Sequence, residues 1–182
     1  MATNSSSPLY WSELSDRDWQ VHIAAHEKGL CFVGSQHQPF EELATWVSNR
    51  FPESKLIRND DKLQPYAAEL TRYFQGELDR FTIPLYYRGT PFQEAVWQAL
   101  CEIPYGQTRS YSDIAQQIHK PAAVRAIGAA IGTNPILITI PCHRVIGKNG
   151  SLTGYRGGID MKTKLLELER NVLTYGKELH RV

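Results

Sequence analysis

The tetrapeptide Pro141-Cys142-His143-Arg144 contains the residues best suited to covalent chemistry in this chain. It places a thiol directly before an imidazole, at the end of the apolar run 136–140, which we predict to be a buried strand. A thiol is a strong nucleophile only as the thiolate, which neighbouring basic or cationic groups favour. A lone cysteine is more often a small buried side chain, so the surrounding residues must decide between packing and catalysis.

Strand geometry limits how this pair could work, because successive side chains of a strand point to opposite faces. If the backbone stays extended through Cys142 and His143, a water molecule or a bend must link the imidazole to the sulfur. A carboxylate that orients the imidazole would complete the base. Glu169 is the candidate, since it shares one face of the predicted helix 161–170 with Lys162 and two leucines. Otherwise Glu169 is a solvated residue near a helix end.

The segment before the tetrapeptide predicts a helix-turn-helix. Ser110 followed by Asp113 is a capping-box pattern that starts one short helix. Pro121 opens a second helix, predicted over 122–133. Two short helices joined by a tight turn in a basic segment are typical of this motif.

The second of these helices has one apolar face and one nearly bare face. The residues predicted to be buried are Val124, Ile127 and Ile131. The opposite face holds Ala122, Arg125, Ala126 and Ala129. A helix that reads bases in the major groove normally presents several Arg, Lys, Asn or Gln side chains. This face favours close approach to a narrow groove with Arg125 as the single probe, or close packing against another helix.

Charge is divided unevenly between the two halves of the chain. Residues 1–87 carry 8 Lys/Arg against 12 Asp/Glu, whereas residues 88–182 carry 12 against 7. The segment 106–156 holds six Lys/Arg and one Asp. This asymmetry indicates a polyanionic partner for the second half, although a basic run can also be only a solvated face.

Composition excludes several other classes of protein. No apolar stretch approaches the roughly 20 residues that a membrane-spanning helix needs. Residues 1–7 lack the basic and apolar regions of a signal peptide, and we expect them to be disordered. Three widely spaced cysteines favour a reducing compartment over a disulfide framework, so we expect a cytoplasmic protein.

The pattern of elements predicts two domains of different class. Residues 1–88 form an α/β domain with a small sheet and helices, and residues 89–182 form a mostly α domain. The second contains the helix-turn-helix and a short active-site strand or hairpin. In the first half the predicted strands are 10–14, 19–25, 30–34, 55–58 and 81–87, and the predicted helices are 40–51 and 63–78. A further helix, 91–103, starts with Thr90 as its cap.

Taken together, these residues resemble the O6-alkylguanine-DNA alkyltransferases, also called methylated-DNA–protein-cysteine methyltransferases. The matching signature is the sequence Ile-Pro-Cys-His-Arg-Val at 140–145. It is accompanied, in family order and spacing, by Ser110-Tyr111, Val124-Arg125-Ala126, Asn134-Pro135, Gly154-Tyr155-Arg156-Gly157-Gly158, Lys162 and Glu169. The match spans 90–170, and the first half fits the family's amino-terminal α/β domain by pattern only.

The resemblance implies a role for each residue of the reacting centre. Cys142 would accept the alkyl group, and His143 would remove the thiol proton through a water molecule. Glu169 would orient His143, and Lys162 would support the thiolate region. Asn134 would form the hinge between the DNA-reading helix and the active-site strand.

The resemblance also implies how the substrate is held. Tyr111 would help rotate the nucleotide and donate a proton or hydrogen bond to the departing guanine. Arg125 would enter the duplex from the minor groove and fill the vacated place in the stack. The carbonyls of Cys142 and Val145 would face the guanine edge, and Tyr155 would wall the pocket. The remaining predicted substrate contacts are Ser110, Ala126, Ala129 and Arg156.

Arg156 stands where some relatives have a pocket serine. Its backbone amide would serve as the pocket contact in place of the serine. Its longer side chain would affect which bulky alkyl groups fit the pocket.

A thiolate cannot reach a damaged base inside a duplex, so the base must be flipped out. The sulfur would then displace guanine from the alkyl carbon and form a thioether. No neighbour offers a way to cleave that thioether, which predicts a single turnover per molecule.

No metal, cofactor or external methyl donor is expected. The expected partner is double-stranded DNA with alkylated bases, bound by a monomer; O4-alkylthymine repair and cooperative binding stay open.

Two other functions compete with this interpretation. A cysteine hydrolase could use Cys142 and His143, but such enzymes usually bring the base from a distant segment and need an oxyanion hole. A non-catalytic lesion-binding helix-turn-helix protein would not need a thiol at this position.

Overall fold

The computed structural model describes residues 6–179, with side chains described through residue 176. The chain divides into two compact units, and the division falls between Tyr87 and Arg88. Within the described residues, no helix combines the length and the hydropathy that crossing a membrane requires.

The first unit is built on a four-stranded sheet with the strand order β3-β2-β1-β4. Its strands are β1 (Leu9–Asp16), β2 (Trp19–His26), β3 (Gly29–Val33) and β4 (Leu56–Arg58). The first three are antiparallel neighbours, whereas β4 pairs in parallel with β1. A parallel neighbour requires a crossover, and helix α1 (Phe40–Arg50) lies in the connection from β3 to β4.

Apolar side chains from the sheet and α1 form the core of this unit. Leu9, Ala24, Cys31, Phe32, Leu43 and Val47 pack together there. Helix α2 (Asp60–Phe74) begins at its cap Asn59, whose side chain accepts a hydrogen bond from the Lys62 amide. These elements confirm the first four predicted strands and both predicted helices to within a few residues.

The predicted strand 81–87 is wrong. This segment makes one isolated bridge, between Leu85 and Leu30. Pro84 has no amide hydrogen to donate to a ladder, although its carbonyl accepts from the Leu30 amide at 2.9 Å. The close approach requires glycine at position 29, because a Cβ there would lie 2.6 Å from the Pro84 oxygen.

The second unit is mostly helical. Its helices are α3 (Pro91–Cys101), α4 (Tyr111–Gln117), α5 (Val124–Gly132) and α6 (Ile159–Leu179). Two short strands, β5 (Arg109–Ser110) and β6 (Val145–Ile146), pair in parallel. Complete capping boxes start both α3 and α4. The sequence predicts the box at Ser110, whereas at Thr90 it predicts only the cap. The indole nitrogen of Trp97 donates to the Ala130 carbonyl at 2.9 Å, which fastens α5 to α3.

Helix α5 differs from its prediction at the amino-terminal end. It begins at Val124, and residues 121–123 form a turn before it. Ile127 and Ile131 are buried as predicted, but Val124 is 37% exposed. As the first residue of the helix, Val124 lies at its exposed end, and Ala130 is the third buried residue instead.

Candidate active site

Two tight turns, rather than the predicted strand, lead to Cys142. The Thr139 amide donates to the Leu137 carbonyl at 2.8 Å across Ile138, whose φ is 71°. The Cys142 amide then donates to the Ile140 carbonyl at 2.8 Å across Pro141. Both are three-residue turns. An uninterrupted apolar run carries no periodicity that could distinguish such buried turns from a buried strand.

Cys142 begins a single turn of 3-10 helix, Cys142–Arg144. Successive side chains in this helix are about 120° apart, because it has about three residues per turn, so the opposed arrangement expected for a strand is wrong. After this turn, Val145 pairs with Arg109 of β5, and the Gly147 amide donates to the Ser151 carbonyl at 2.8 Å, which closes a turn in the segment predicted to be hairpin-like. Strand β5 therefore links the start of the helix-turn-helix to the backbone just after the thiol.

Asn134 fixes the position of the sulfur. Its side-chain nitrogen donates to Cys142 Sγ at 3.2 Å and to the Ile140 carbonyl at 3.0 Å. Its side-chain oxygen accepts from the Ile136 amide at 2.9 Å. The residue is fully buried. It directly follows Thr133, the carboxy-terminal cap of α5, and this is the location predicted for a hinge.

His143, Arg144 and Glu169 form a buried network behind the thiol. His143 Nε2 lies 2.5 Å from Glu169 Oε2. The Arg144 guanidinium donates to both Glu169 oxygens, at 2.8 and 3.3 Å, and to the Ile103 carbonyl at 2.7 Å. Glu169 is 1% exposed, so the predicted inward orientation is confirmed and the solvated alternative is wrong.

Charge in this network is arranged for proton acceptance by His143. Burial raises the pKa of Glu169, but the hydrogen bonds and charges of His143 and Arg144 outweigh it and lower the pKa to about 2. Burial lowers the pKa of His143, although Glu169 opposes that shift. Near neutral pH the carboxylate is therefore ionised and the imidazole neutral. An ionised Glu169 accepts from Nε2–H, which leaves the basic lone pair on Nδ1.

The thiol itself is buried, and burial is the largest influence on its pKa, which lies above the ordinary value. Burial raises the pKa of Cys142, whereas the Asn134 hydrogen bond and the charges of Arg156 and Lys162 lower it. Lys162 is fully buried. Its ammonium donates to the Val145 carbonyl at 2.6 Å and to the Thr153 carbonyl at 3.0 Å.

The predicted DNA-contacting residues lie on two elements. Arg125, Ala126 and Ala129 are exposed on α5, on the face opposite its buried residues. The Tyr111 hydroxyl donates to the Thr153 carbonyl at 3.1 Å, while the Ser110 side chain caps α4. The exposed side of α5 is therefore the small-residue surface that the sequence predicts.

Two further predicted residues belong to the loop before α6. The Tyr155 hydroxyl is buried with no hydrogen-bond partner among the described residues, and burial raises its pKa well above the usual value. The Arg156 guanidinium donates from Nε to the Asn134 carbonyl at 2.8 Å and from Nη2 to the Pro135 carbonyl at 3.2 Å. Arg156 thus contacts the backbone at the predicted hinge with its side chain.

No metal site is evident in the part of the chain that the structure describes, where no group of three or more His, Cys, Asp or Glu side chains could hold an ion.

Two family profiles match the chain and together span most of it. The profile of the 6-O-methylguanine DNA methyltransferase DNA binding domain matches residues 91–171. The profile of the ribonuclease-like domain of 6-O-methylguanine DNA methyltransferase matches residues 9–87. The chain belongs to the 6-O-methylguanine DNA methyltransferase family. The resemblance carried by the Ile-Pro-Cys-His-Arg-Val signature is thereby confirmed.

Relatives in this methyltransferase family are similar over nearly the whole chain. The inducible methylated-DNA–protein-cysteine methyltransferase of Bacillus subtilis is 65% identical over 93% of this chain and 94% of its own length. The methylated-DNA–protein-cysteine methyltransferase of Methanosarcina barkeri is 44% identical over 91% and 99%. The crystal structure of Mycobacterium tuberculosis OGT in complex with DNA superposes with a TM-score of 0.78 at 40% identity, covering 90% of this chain and 94% of that one.

Arg144 is the residue of this methyltransferase site that sequence reasoning missed. It is 7% exposed and binds the same carboxylate that contacts His143. The available signal was an arginine directly between the buried Cys-His pair and the apolar residues that follow. A buried cation in such a position requires an anionic partner, and Glu169 was already predicted to point inward.

Proposed function

We propose that this chain repairs alkylated duplex DNA by transferring the alkyl group of O6-alkylguanine to Cys142, once per molecule. The observation that carries the proposal is a buried thiol, held by Asn134, that directly precedes in the chain a neutral imidazole bound to an ionised Glu169. The relatives named as methylated-DNA–protein-cysteine methyltransferases support the same reaction.

The first step of the reaction is loss of the thiol proton. Cys142 gives its proton through a water molecule to Nδ1 of His143, and Glu169 compensates the positive charge that forms on the ring. Because Asn134, Lys162 and Arg156 favour the thiolate, the negative charge on sulfur is tolerated in a buried site.

Alkyl transfer then exchanges one bond for another. The thiolate attacks the alkyl carbon, an S–C bond forms, and the bond from that carbon to O6 breaks. The electron pair stays on the departing guanine, which takes up a proton with Tyr111 as the proposed donor. The thioether product has no acidic proton and no good leaving group, so each molecule reacts once.

Access to the base depends on α5. A thiol that is 1% exposed can react only with a base that has left the helical stack. The exposed alanines allow α5 to lie close to the DNA, and Arg125 fills the gap that the flipped nucleotide leaves. Val145 and Tyr155 then contact the extruded base.

The proposed location is supported by the cysteines. Cys31, Cys101 and Cys142 are all free thiols, which supports a reducing compartment such as the cytoplasm. We propose that a monomer acts on double-stranded DNA.

Mass spectrometry after mixing with a duplex that contains one O6-methylguanine tests the proposal. The expected result is one added methyl group per molecule, located on the Cys142 peptide. More than one repaired duplex per molecule, or a methyl group on Cys31 or Cys101, would contradict it. A hydrolase would leave Cys142 unmodified, and a lesion-binding protein would leave both the DNA and the thiol unchanged.

The role of Arg125 needs a comparison of substrates. Arg125→Ala should slow methyl transfer from duplex DNA about tenfold, yet leave transfer from free O6-methylguanine within twofold, because the free base leaves no gap to fill. Arg170→Ala, which removes the same charge from the exposed surface of α6, is the control. Equal losses on both substrates would refute this role.

A further inference from the structure

Arg156 contacts the hinge in a way that its place in the sequence does not suggest. Its two donor groups reach the carbonyls of consecutive residues, Asn134 at 2.8 Å and Pro135 at 3.2 Å. The planar guanidinium is suited to two neighbouring acceptors, whereas a lysine ammonium is a single flexible point of charge. The contact therefore fixes both the position and the orientation of the hinge backbone.

This backbone belongs to the residue that touches the reacting atom. Asn134 donates to Cys142 Sγ at 3.2 Å through its side chain, while its main-chain carbonyl accepts from Arg156. Any rotation of the hinge peptide would move the side-chain amide relative to the sulfur. Arg156 thus acts on the thiol through Asn134.

The loop that carries Arg156 is itself fastened on its other side. The Thr153 carbonyl accepts from Lys162 at 3.0 Å and from the Tyr111 hydroxyl at 3.1 Å. Tyr155 stands between Thr153 and Arg156, so the loop is held on both sides of this residue. Hinge, loop and α6 are connected through these polar contacts.

We propose that Arg156 is a positioning residue for alkyl transfer, which holds the Asn134 amide against Cys142 and joins the hinge to the loop that carries Tyr155. This role rests on the proposed function of Cys142 as the acceptor. The charge of Arg156 acts in the same direction, because it favours the thiolate against the effect of burial.

A double-mutant cycle separates positioning from a general structural role. The rate of methyl transfer at saturating duplex with one O6-methylguanine is measured by intact mass for the native protein, Arg156→Ala, Asn134→Ala and the double variant. Arg156→Ala should slow transfer about tenfold in the native background and less than twofold in the Asn134→Ala background, where no amide remains to be positioned. Arg156→Lys should recover part of the rate.

Two results of the rate measurements would overturn the proposal, and one result of the binding measurements would do so as well. One is a rate for Arg156→Ala within twofold of the native protein. The other is the same fold-loss in both backgrounds, which would make Arg156 independent of Asn134. The dissociation constant for DNA should change no more than in the Arg170→Ala control; a loss confined to DNA affinity would also overturn the positioning role.

Folding and the proposed function are checked separately. Thermal unfolding tests each variant, and Arg156→Gln and Asn134→Ser replace any alanine variant that does not fold. A native protein that gains no methyl group overturns the proposed function alone. In that case the double-mutant cycle is repeated with the rate at which iodoacetamide modifies Cys142 as the measured quantity. Arg156→Ala should again have a smaller effect in the Asn134→Ala background than in the native background.

Discussion

Cys31 and Cys142 are equally buried thiols, each 1% exposed, but their surroundings differ. Cys31 lies on β3 in the apolar core of the first unit and donates a weak hydrogen bond to the Ala24 carbonyl at 3.4 Å. Burial raises its pKa to about 12. Cys142 instead accepts a hydrogen bond from Asn134 and is close to two cations. Burial also raises the pKa of Cys142, but the Asn134 hydrogen bond and the charges of Arg156 and Lys162 oppose that shift.

Replacing each cysteine with serine should give the largest difference between the two positions. Cys142→Ser should abolish methyl transfer while DNA binding persists, because a serine hydroxyl ionises far less readily than a thiol. Cys31→Ser should leave the amount of methyl transferred per folded molecule unchanged. Peptide mass spectrometry and a DNA-binding titration measure both. Repair by Cys142→Ser would show that another group is the acceptor.

Removing the Glu169 carboxylate, which contacts His143, tests the buried network next to Cys142. Cys31 has no such network among the described residues. Glu169→Gln should slow transfer about 100-fold, the scale of a lost acid–base partner. It should also lower the free energy of unfolding by about 3–5 kcal/mol, because Arg144 is left buried without its anion. Single-turnover rates and urea unfolding measure the two effects.

Glu167→Gln is the matched control, since Glu167 is exposed on the same helix. A loss of rate in Glu167→Gln comparable to that of Glu169→Gln would mean that the charge of α6, not the buried network, carries the effect.

Chemical labelling compares the thiols without DNA. At pH 8 iodoacetamide should modify the exposed Cys101 first, and Cys142 at least about tenfold faster than Cys31. The reason is that Asn134 and two cations oppose the effect of burial on the pKa of Cys142, whereas at Cys31 only backbone hydrogen bonds oppose it. Time-resolved peptide mass spectrometry gives the three rates, and equal rates at the two buried thiols would remove the contrast between them.

The smallest expected effect is the loss of unfolding free energy at acid pH. The folded-state pKa of Glu169 is about 2, below its ordinary value of 4.5, so its stabilisation is present above pH 4.5 and is lost as the pH falls toward 2. His143 has a lowered pKa, so stability also declines once the pH falls below 6.5 and the unfolded chain binds a proton there. Unfolding free energies between pH 7 and 3 should fall less steeply in Glu169→Gln than in Glu167→Gln.

Local signals predicted the elements of this protein well. Both capping boxes are encoded within four residues, and helical spacing brought Lys162 and Glu169 to one buried face. The apolar run 136–140 carries no such period, so its turns could not be told from a strand. The side-chain contacts of Arg156 could not be predicted for a different reason, because its acceptors are backbone carbonyls, which every residue type carries.

Ile138 illustrates a conflict that no standard amino acid resolves. Its side chain is 1% exposed, so the core requires a large apolar residue, yet its φ of 71° is a region that β-branched residues avoid. Such backbone strain costs about 1–3 kcal/mol. Glycine would relax the backbone but leave a cavity in its place. This position lies four residues before Cys142, so core packing and backbone conformation oppose each other in the turn that leads to the thiol.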